Sequence, residues 1–226
     1  MSWILNFYRS AIGKKVVMAG TGIVLFGWIT LHMLGNMKLY LGAEAINHYG
    51  AWLRVLGSPA FPNSFVLWVT RFLLVIAVWL HIQAATQLTI MNRAARPIEY
   101  GRKQDVAATY AARTMRWSGV IIALFVIYHL LHITTGTLHR NFVEGDPYHN
   151  VVVAFQQWWV SLIYIVANIL LGFHLYHGLW SMFQSLGLNN PTFNPWRRSF
   201  ATAFAVLITL GNISFPIAVL IGAVHL

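Results

Sequence analysis

The chain has 226 residues and a formal net charge of +10, with 58% hydrophobic and 9% charged residues, whereas a soluble domain is roughly a quarter charged. This composition predicts an integral membrane protein. Because the sequence contains no cysteine, it excludes disulfides, thiolate zinc sites and iron–sulfur clusters bound by this chain.

Five long uncharged stretches predict five transmembrane helices, because an unpaired charge at the bilayer centre is costly. Each stretch reaches the roughly 20 residues that a spanning helix needs. We place the helices at residues 16–40, 64–92, 114–139, 152–186 and 197–225. The fifth has no interior histidine, and we expect it to be a peripheral packing helix with a kink at Pro216. The predicted fold is an all-α integral membrane protein in which residues 1–226 form a single domain.

Lysine and arginine residues predict the orientation of these helices. Eleven of the fifteen share one side: Arg9, Lys14, Lys15, Arg93, Arg96, Arg102, Lys103, Arg113, Arg116, Arg197 and Arg198. The opposite side has Lys38, Arg54 and Arg140, and Arg71 lies just inside the second helix. The N-terminus is therefore predicted to be cytoplasmic. The basic face suits anionic lipid headgroups or an acidic soluble partner, and nothing in it indicates nucleic acid.

Histidines outnumber acidic residues ten to five, which indicates imidazole as the ligand if a metal is bound. One histidine falls inside each of the first four predicted helices: His32, His81, His129 and His174. Since the helices alternate in direction, His32 and His129 are predicted toward the external leaflet, and the other two toward the cytoplasmic leaflet, roughly 10 Å or more away. A four-helix bundle with two imidazoles at one depth can hold a haem with both axial positions filled. Such a site favours electron transfer over oxygen binding.

Other readings of these residues stay open. Each interior histidine could instead be a polar residue that hydrogen-bonds within the bundle. His132 and His177 each follow a predicted ligand by three residues on nearly the same helix face, so they are rival ligands, contacts for haem propionates or a quinone oxygen, or core residues. Gly22 and Gly119 each precede an outer-layer ligand by ten residues. Because glycine has no side chain, these residues leave room for a haem in the other layer, or they serve ordinary helix packing.

Two further classes of membrane protein also use histidines. A transporter would use them for protons or metal ions, but the predicted spans contain no carboxylates. A membrane desaturase or hydroxylase binds non-haem iron through histidine clusters at the cytoplasmic surface. Two histidine layers at different depths argue against that class.

Short motifs occur in order along the whole chain. They are Ile12-Gly13-Lys14-Lys15 before Met18-Ala19-Gly20-Thr21-Gly22, His32 before Gly35-Asn36, His81, Arg116-Trp117-Ser118-Gly119 ten residues ahead of His129, and Phe173-His174 before Gly178-Leu179-Trp180-Ser181. In these motifs the chain resembles the cytochrome b subunit of succinate dehydrogenase and fumarate reductase, of the single-chain, five-helix, di-haem type.

The resemblance implies that the first four helices form a haem-binding bundle, with His32 and His129 on an outer haem b and His81 and His174 on an inner haem b. It also implies a flavoprotein subunit and an iron–sulfur subunit on the cytoplasmic side of the cell's inner membrane. Electrons from succinate would then reach a quinone, either menaquinone or ubiquinone, and the reverse path would reduce fumarate. The succinate site would lie on a partner chain. A di-haem cytochrome b of another respiratory complex is the alternative.

Quinone carbonyls need hydrogen-bond donors and a proton path. Near the outer haem the candidates are Arg71, His139 and Glu44, and near the inner haem they are His177 and Ser181. Arg71 is the charged residue that falls inside a predicted span, so it is either functional or extends to the outer headgroups.

Overall fold

The computed structural model describes residues 2–95 and 110–226, and in this part the chain forms eight α-helices. They are α1 (Ser2–Arg9), α2 (Ala11–Asn36), α3 (Ala43–Val55), α4 (Phe65–Ala94), α5 (Tyr110–His129), α6 (Pro147–Phe155), α7 (Trp158–Ser185) and α8 (Asn194–Leu220). A 3₁₀ turn at Met37–Leu41 follows α2, and a π-helical turn at Leu130–Thr134 follows α5. Three basic residues used to predict the orientation, Arg96, Arg102 and Lys103, lie outside the described residues.

Five helical segments are long and apolar enough to cross a membrane, which confirms the predicted five-span, all-α fold. They run over Ala11–Leu41, Phe65–Ala94, Met115–Thr134, Trp158–Ser185 and Asn194–Leu220. Large apolar side chains such as Val75, Trp79 and Leu124 are exposed on their outer faces. A soluble protein rarely exposes so much contiguous apolar surface, because water would then contact it. The chain is a multi-pass membrane protein.

The predicted third and fourth helices differ from the observed ones at the same end of the bundle. The third span ends at Thr134 rather than at residue 139, because the chain turns at Gly136, whose φ of +73° suits a glycine.

The segment predicted as the fourth helix forms two helices in the structure, α6 and α7. Asp146 caps α6 by accepting a hydrogen bond from the backbone N–H of His149 at 3.0 Å. The chain then becomes extended at Gln157 before α7 begins.

Contacts between helix ends identify the two ends of the bundle. Lys14 Nζ at the start of α2 donates a hydrogen bond to Gln87 Oε1 near the end of α4 at 2.5 Å. Phe183 near the end of α7 packs on Trp196 at the start of α8, and the start of α5 lies against α7 in the same region. The described basic residues exposed here are Arg9, Lys15, Arg93, Arg116 and Arg198, and we call this end the basic end. That it faces the cytoplasm stays a prediction.

The fifth span is not peripheral, so that prediction is wrong. α8 packs along α7 and also contacts α2, and a larger share of it is buried than of any other span in the described chain. Its buried face is lined mainly by small and apolar residues, which let helices approach closely in a membrane. These residues include Ala201, Ala205, Ile208 and Asn212. The helix continues without interruption through Pro216, which is buried.

Candidate functional site

His32 on α2 and His129 on α5 meet in the half of the bundle away from the basic end. Their ring centroids are 5.8 Å apart, and the ring planes cross at 86°. In the described bundle α2 packs mainly on α4, and α5 packs mainly on α7, so α2 and α5 are not close neighbours. The two imidazoles therefore approach each other across the interior. Trp28 and Phe125 flank them, with ring centroids 5.8 Å from His32 and 6.0 Å from His129 respectively.

His81 on α4 and His174 on α7 form a second pair nearer the basic end. Their ring centroids are 6.4 Å apart, and the ring planes cross at 58°. As in the first pair, the two helices that carry them are not among the described helices that pack extensively on each other. Each pair thus lies on a diagonal of the bundle formed by α2, α4, α5 and α7.

Two glycines locate this second pair relative to the first. A Cβ atom added to Gly22 on α2 would lie 3.8 Å from His81 Cε1, and one added to Gly119 on α5 would lie 3.6 Å from His174 Cε1. Gly22 precedes His32 by ten residues, and Gly119 precedes His129 by ten residues. At 1.5 Å of rise per residue, the two histidine layers are about 15 Å apart along the helices.

A hydroxyl group contacts each histidine of the second pair at Nδ1. Thr21 Oγ1 lies 3.1 Å from His81 Nδ1, and Ser118 Oγ lies 3.4 Å from His174 Nδ1. Each hydroxyl donates its hydrogen to a backbone carbonyl, that of Val17 at 2.8 Å and that of Met115 at 3.0 Å. The hydroxyl oxygens can therefore accept from an N–H at Nδ1. The Nε2 lone pairs are then left for a metal, as is usual for ligand histidines oriented by an outer partner.

His129 is oriented by Tyr164, whose hydroxyl lies 3.3 Å from His129 Nδ1 and 3.2 Å from His132 Nδ1. If His129 donates its Nδ1–H to this hydroxyl, and the hydroxyl donates to His132, all three groups are satisfied. His129 Nε2 then remains free. His132 is itself buried and stacks on Tyr128 and His139, with ring centroids 5.2 Å and 5.1 Å away.

The paired imidazoles suit a metal whose other ligands come from a prosthetic group and not from the protein. Two opposite imidazoles at about 2 Å from one metal ion would place their ring centroids about 6 Å apart, close to the observed 5.8 Å and 6.4 Å. No group of three or more His, Cys, Asp or Glu side chains in the described chain could hold a bare metal ion. Two histidines per layer on a diagonal of the bundle, with glycines beside the second pair, fit a haem that is held by two histidines.

The predicted quinone residues lie in separate environments. Arg71 is exposed, with its guanidinium 4.8 Å from the Trp68 ring centroid, which is the geometry of a side chain that extends toward headgroups. His139 is buried, and both of its ring nitrogens are engaged: Nδ1 accepts from the backbone N–H of Asn141 at 3.2 Å, and Nε2 donates to the carbonyl of Asn150 at 3.0 Å. Ser181 is half-buried on α7, and Glu44 is exposed at the start of α3.

Four polar residues around the histidine pairs were not singled out from the sequence: Thr21, Ser118, Tyr128 and Tyr164. Thr21 and Ser118 appeared there only within motifs, although each directly precedes a glycine already linked to the second layer. Tyr128 carries a buried hydroxyl without a hydrogen-bonding partner. This tyrosine also lines an apolar groove of about 450 Å³ between α5 and α7, together with Leu124 and Val166.

Comparison with known proteins gives one match. A model of the family described as succinate dehydrogenase/fumarate reductase transmembrane subunit matches residues 96–213, just over half of the chain. Neither the curated proteins nor the solved structures contain a match to the chain.

Proposed function

The chain belongs to the family of succinate dehydrogenase/fumarate reductase transmembrane subunits, and from this premise we propose that it anchors such a complex and relays electrons between an iron–sulfur subunit and a quinone through two haems b. Its partners are the flavoprotein and iron–sulfur subunits, and the succinate site lies on a partner chain. The membrane is the inner membrane of the cell, and the quinone is menaquinone or ubiquinone.

The observation that carries this proposal is the diagonal pairing of four histidines in two layers. His32 faces His129, His81 faces His174, and about 15 Å along the helices separates the layers. A transporter or a surface non-haem iron site gives no reason for two such pairs on four helices. In this proposal His132 and His177 are not axial ligands, because each predicted ligand already has a facing histidine.

When bound, each haem supplies an iron that accepts and releases one electron. The chain's own residues hold and orient that group. Each histidine pair would hold one haem iron through two imidazoles, which would leave no position on the iron for dioxygen. Thr21 and Ser118 keep the second pair in the tautomer that exposes Nε2, and Tyr164 does the same for His129. Trp28 packs against His32, and Phe125 packs against His129.

The basic end is the proposed docking face for the soluble subunits. Lys15, Arg93, Arg116 and Arg198 are exposed there, and they attract an acidic protein surface as well as anionic headgroups. The pair His81 and His174 is the nearer to this face and so is the inner haem site. The pair His32 and His129 is the outer one.

Quinone is the other partner in the reaction, and Tyr128 is better placed than His139 to bind it. The Tyr128 hydroxyl is buried without a partner in the described chain, and Tyr128 also lines an apolar groove, whereas both nitrogens of His139 are already engaged. A quinone carbonyl would accept the phenolic hydrogen, and the groove would receive the isoprenoid tail. Arg71 and Ser181 stay predictions for this role.

Purification of the native assembly in mild detergent tests the proposal. A reduced-minus-oxidised spectrum with haem quantification is expected to give two b-type haems per chain, together with flavin from the partner. An assembly without haem would contradict electron relay by this chain. Two haems without flavin would instead indicate a cytochrome b of another respiratory complex.

A further inference from the structure

Arg197 in the first turn of α8 is a buried cation without a counter-charge among the described residues. Its side chain is 1% exposed, and its Nε and Nη1 have no hydrogen-bonding partner in that part of the chain. Nη2 donates one long hydrogen bond, 3.4 Å, to Asn189 Oδ1, and the guanidinium lies 5.8 Å from the Trp180 ring centroid. A buried guanidinium is costly unless an anion pairs with it. Arg197 therefore indicates a missing anionic group.

The described acidic side chains do not supply that group. Glu44 in the first turn of α3, and Glu144 and Asp146 just before α6, lie at the end opposite the basic end. The two other acidic residues, Glu99 and Asp105, lie outside the described residues.

A second buried polar atom without a partner in the described chain lies on the same side of the inner histidine layer. His177 Nδ1 is buried without a hydrogen-bonding partner. On α7 the residues His174, His177 and Trp180 follow one another at three-residue intervals, so each is displaced by about 60° around the helix and one step nearer the basic end than the one before. Trp180, which contacts Arg197, is about 9 Å further toward the basic end than His174. The unpartnered polar atoms thus extend from the inner histidine pair toward the basic end.

The burial of Arg197 indicates a partner anion inside the bundle, and not a lipid headgroup outside it. The neighbouring Arg198 and Trp196 are exposed, as expected for residues at the headgroup level. Arg197 instead points into the buried face of α8 together with Ala201. A phosphate in the leaflet would reach Arg198 first, whereas an anion that pairs with Arg197 must lie within the bundle.

We infer that Arg197 binds a propionate carboxylate of the haem held by His81 and His174, with His177 as a second donor to the propionates. The inference rests on the proposed function. A guanidinium forms strong charge-assisted hydrogen bonds with a carboxylate. Its positive charge also favours the reduced iron, because reduction removes one positive charge from the haem.

The test compares R197Q and R197K with the matched control R198Q in the native complex, by redox titration and haem quantification. R197Q is expected to lower the midpoint potential of the inner haem and to reduce its retention, while the outer haem keeps its potential. R197K is expected to shift the potential less, since the charge remains. R198Q is expected to match the wild type. If R197Q does not assemble, R197K decides through haem retention, because lysine keeps the charge but lacks the planar group that binds a carboxylate through two hydrogen bonds. Retention of the inner haem in R197K equal to that of the wild type overturns the inference.

Three further outcomes would overturn the inference. The first is an R197Q complex with both potentials unchanged but less bound phospholipid phosphate, which would assign the guanidinium to a lipid. The second is the same loss of potential in N189A, which would assign Arg197 to fixing the loop. The third is the same loss in E99Q or D105N, which would make that carboxylate the partner. A wild-type complex without haem would contradict the proposed function itself and is recognised before any variant is compared.

Discussion

Replacing Thr21 with valine removes one hydroxyl group from the inner site and keeps the shape of the side chain. Thr21 Oγ1 lies 3.1 Å from His81 Nδ1, and a hydrogen bond of this kind contributes about 0.5–1.5 kcal/mol net. Because about 1.4 kcal/mol corresponds to tenfold in an equilibrium constant, T21V is expected to weaken inner-haem binding by up to about tenfold. This is the low end of the effect of outer partners on metal ligands, about 10–100-fold.

Thr30 on the same helix supplies the matched control. Its hydroxyl donates to the Phe26 carbonyl at 2.9 Å, which is the same backbone bond that Thr21 makes to Val17. Haem transfer from the purified protein to an excess of a haem acceptor measures the binding, and a redox titration identifies which haem is lost. T21V is expected to lose the inner haem faster than T30V and the wild type. Equal rates in all three proteins, or faster loss of the outer haem from T21V, would refute the orienting role of this hydroxyl.

Other predictions concern the stability of the scaffold, measured by thermal unfolding in detergent. G172A is expected to destabilise the protein by about 1–3 kcal/mol, because the added Cβ would collide with Thr209 Oγ1 on α8. G27A is expected to stabilise it by about 0.5–1 kcal/mol, since no neighbouring group of the described chain lies within 4 Å of the added Cβ. Equal effects of G172A and G27A would refute the close packing of Gly172 against Thr209. The backbone N–H of His149 holds the pKa of Asp146 below its ordinary value. The stabilisation of the folded state by this cap is therefore complete above the ordinary carboxyl pKa, and it is lost as the pH falls through the lower pKa of the folded state. D146A is thus expected to cost about 1 kcal/mol at neutral pH and little in strong acid, and a cost that persists in acid would contradict the cap.

The five spans could be predicted because uncharged stretches of sufficient length have few other uses. The short helices α1, α3 and α6 were not predicted, because none has a long apolar stretch. α6 did have a local signal. Asp146 followed by Pro147 is a typical helix start, but it lies ahead of the span predicted as one helix at residues 152–186. The burial of α8 was not predicted. Its small residues suit a packing face, but the sequence does not show that α7 is the helix they contact.

The candidate site, like the fold, could be predicted from the sequence only in part. His32, His81, His129 and His174 could be assigned to two depths from helix direction alone. Which hydroxyl meets which imidazole depends on the rotation of each helix about its axis, and an apolar sequence without strong amphipathicity does not specify that rotation. Thr21, Ser118 and Tyr164 therefore became recognisable only in the structure. The buried Arg197 was counted among the surface charges of the basic side for the same reason.

The haem content of single-histidine variants tests the central claim most directly. H32A and H129A are expected to retain the same single haem per chain, and H81A and H174A are expected to retain the other one, as identified by redox titration. The account would be contradicted if H32A and H81A lost the same haem, or if H129A kept two haems while H132A kept one.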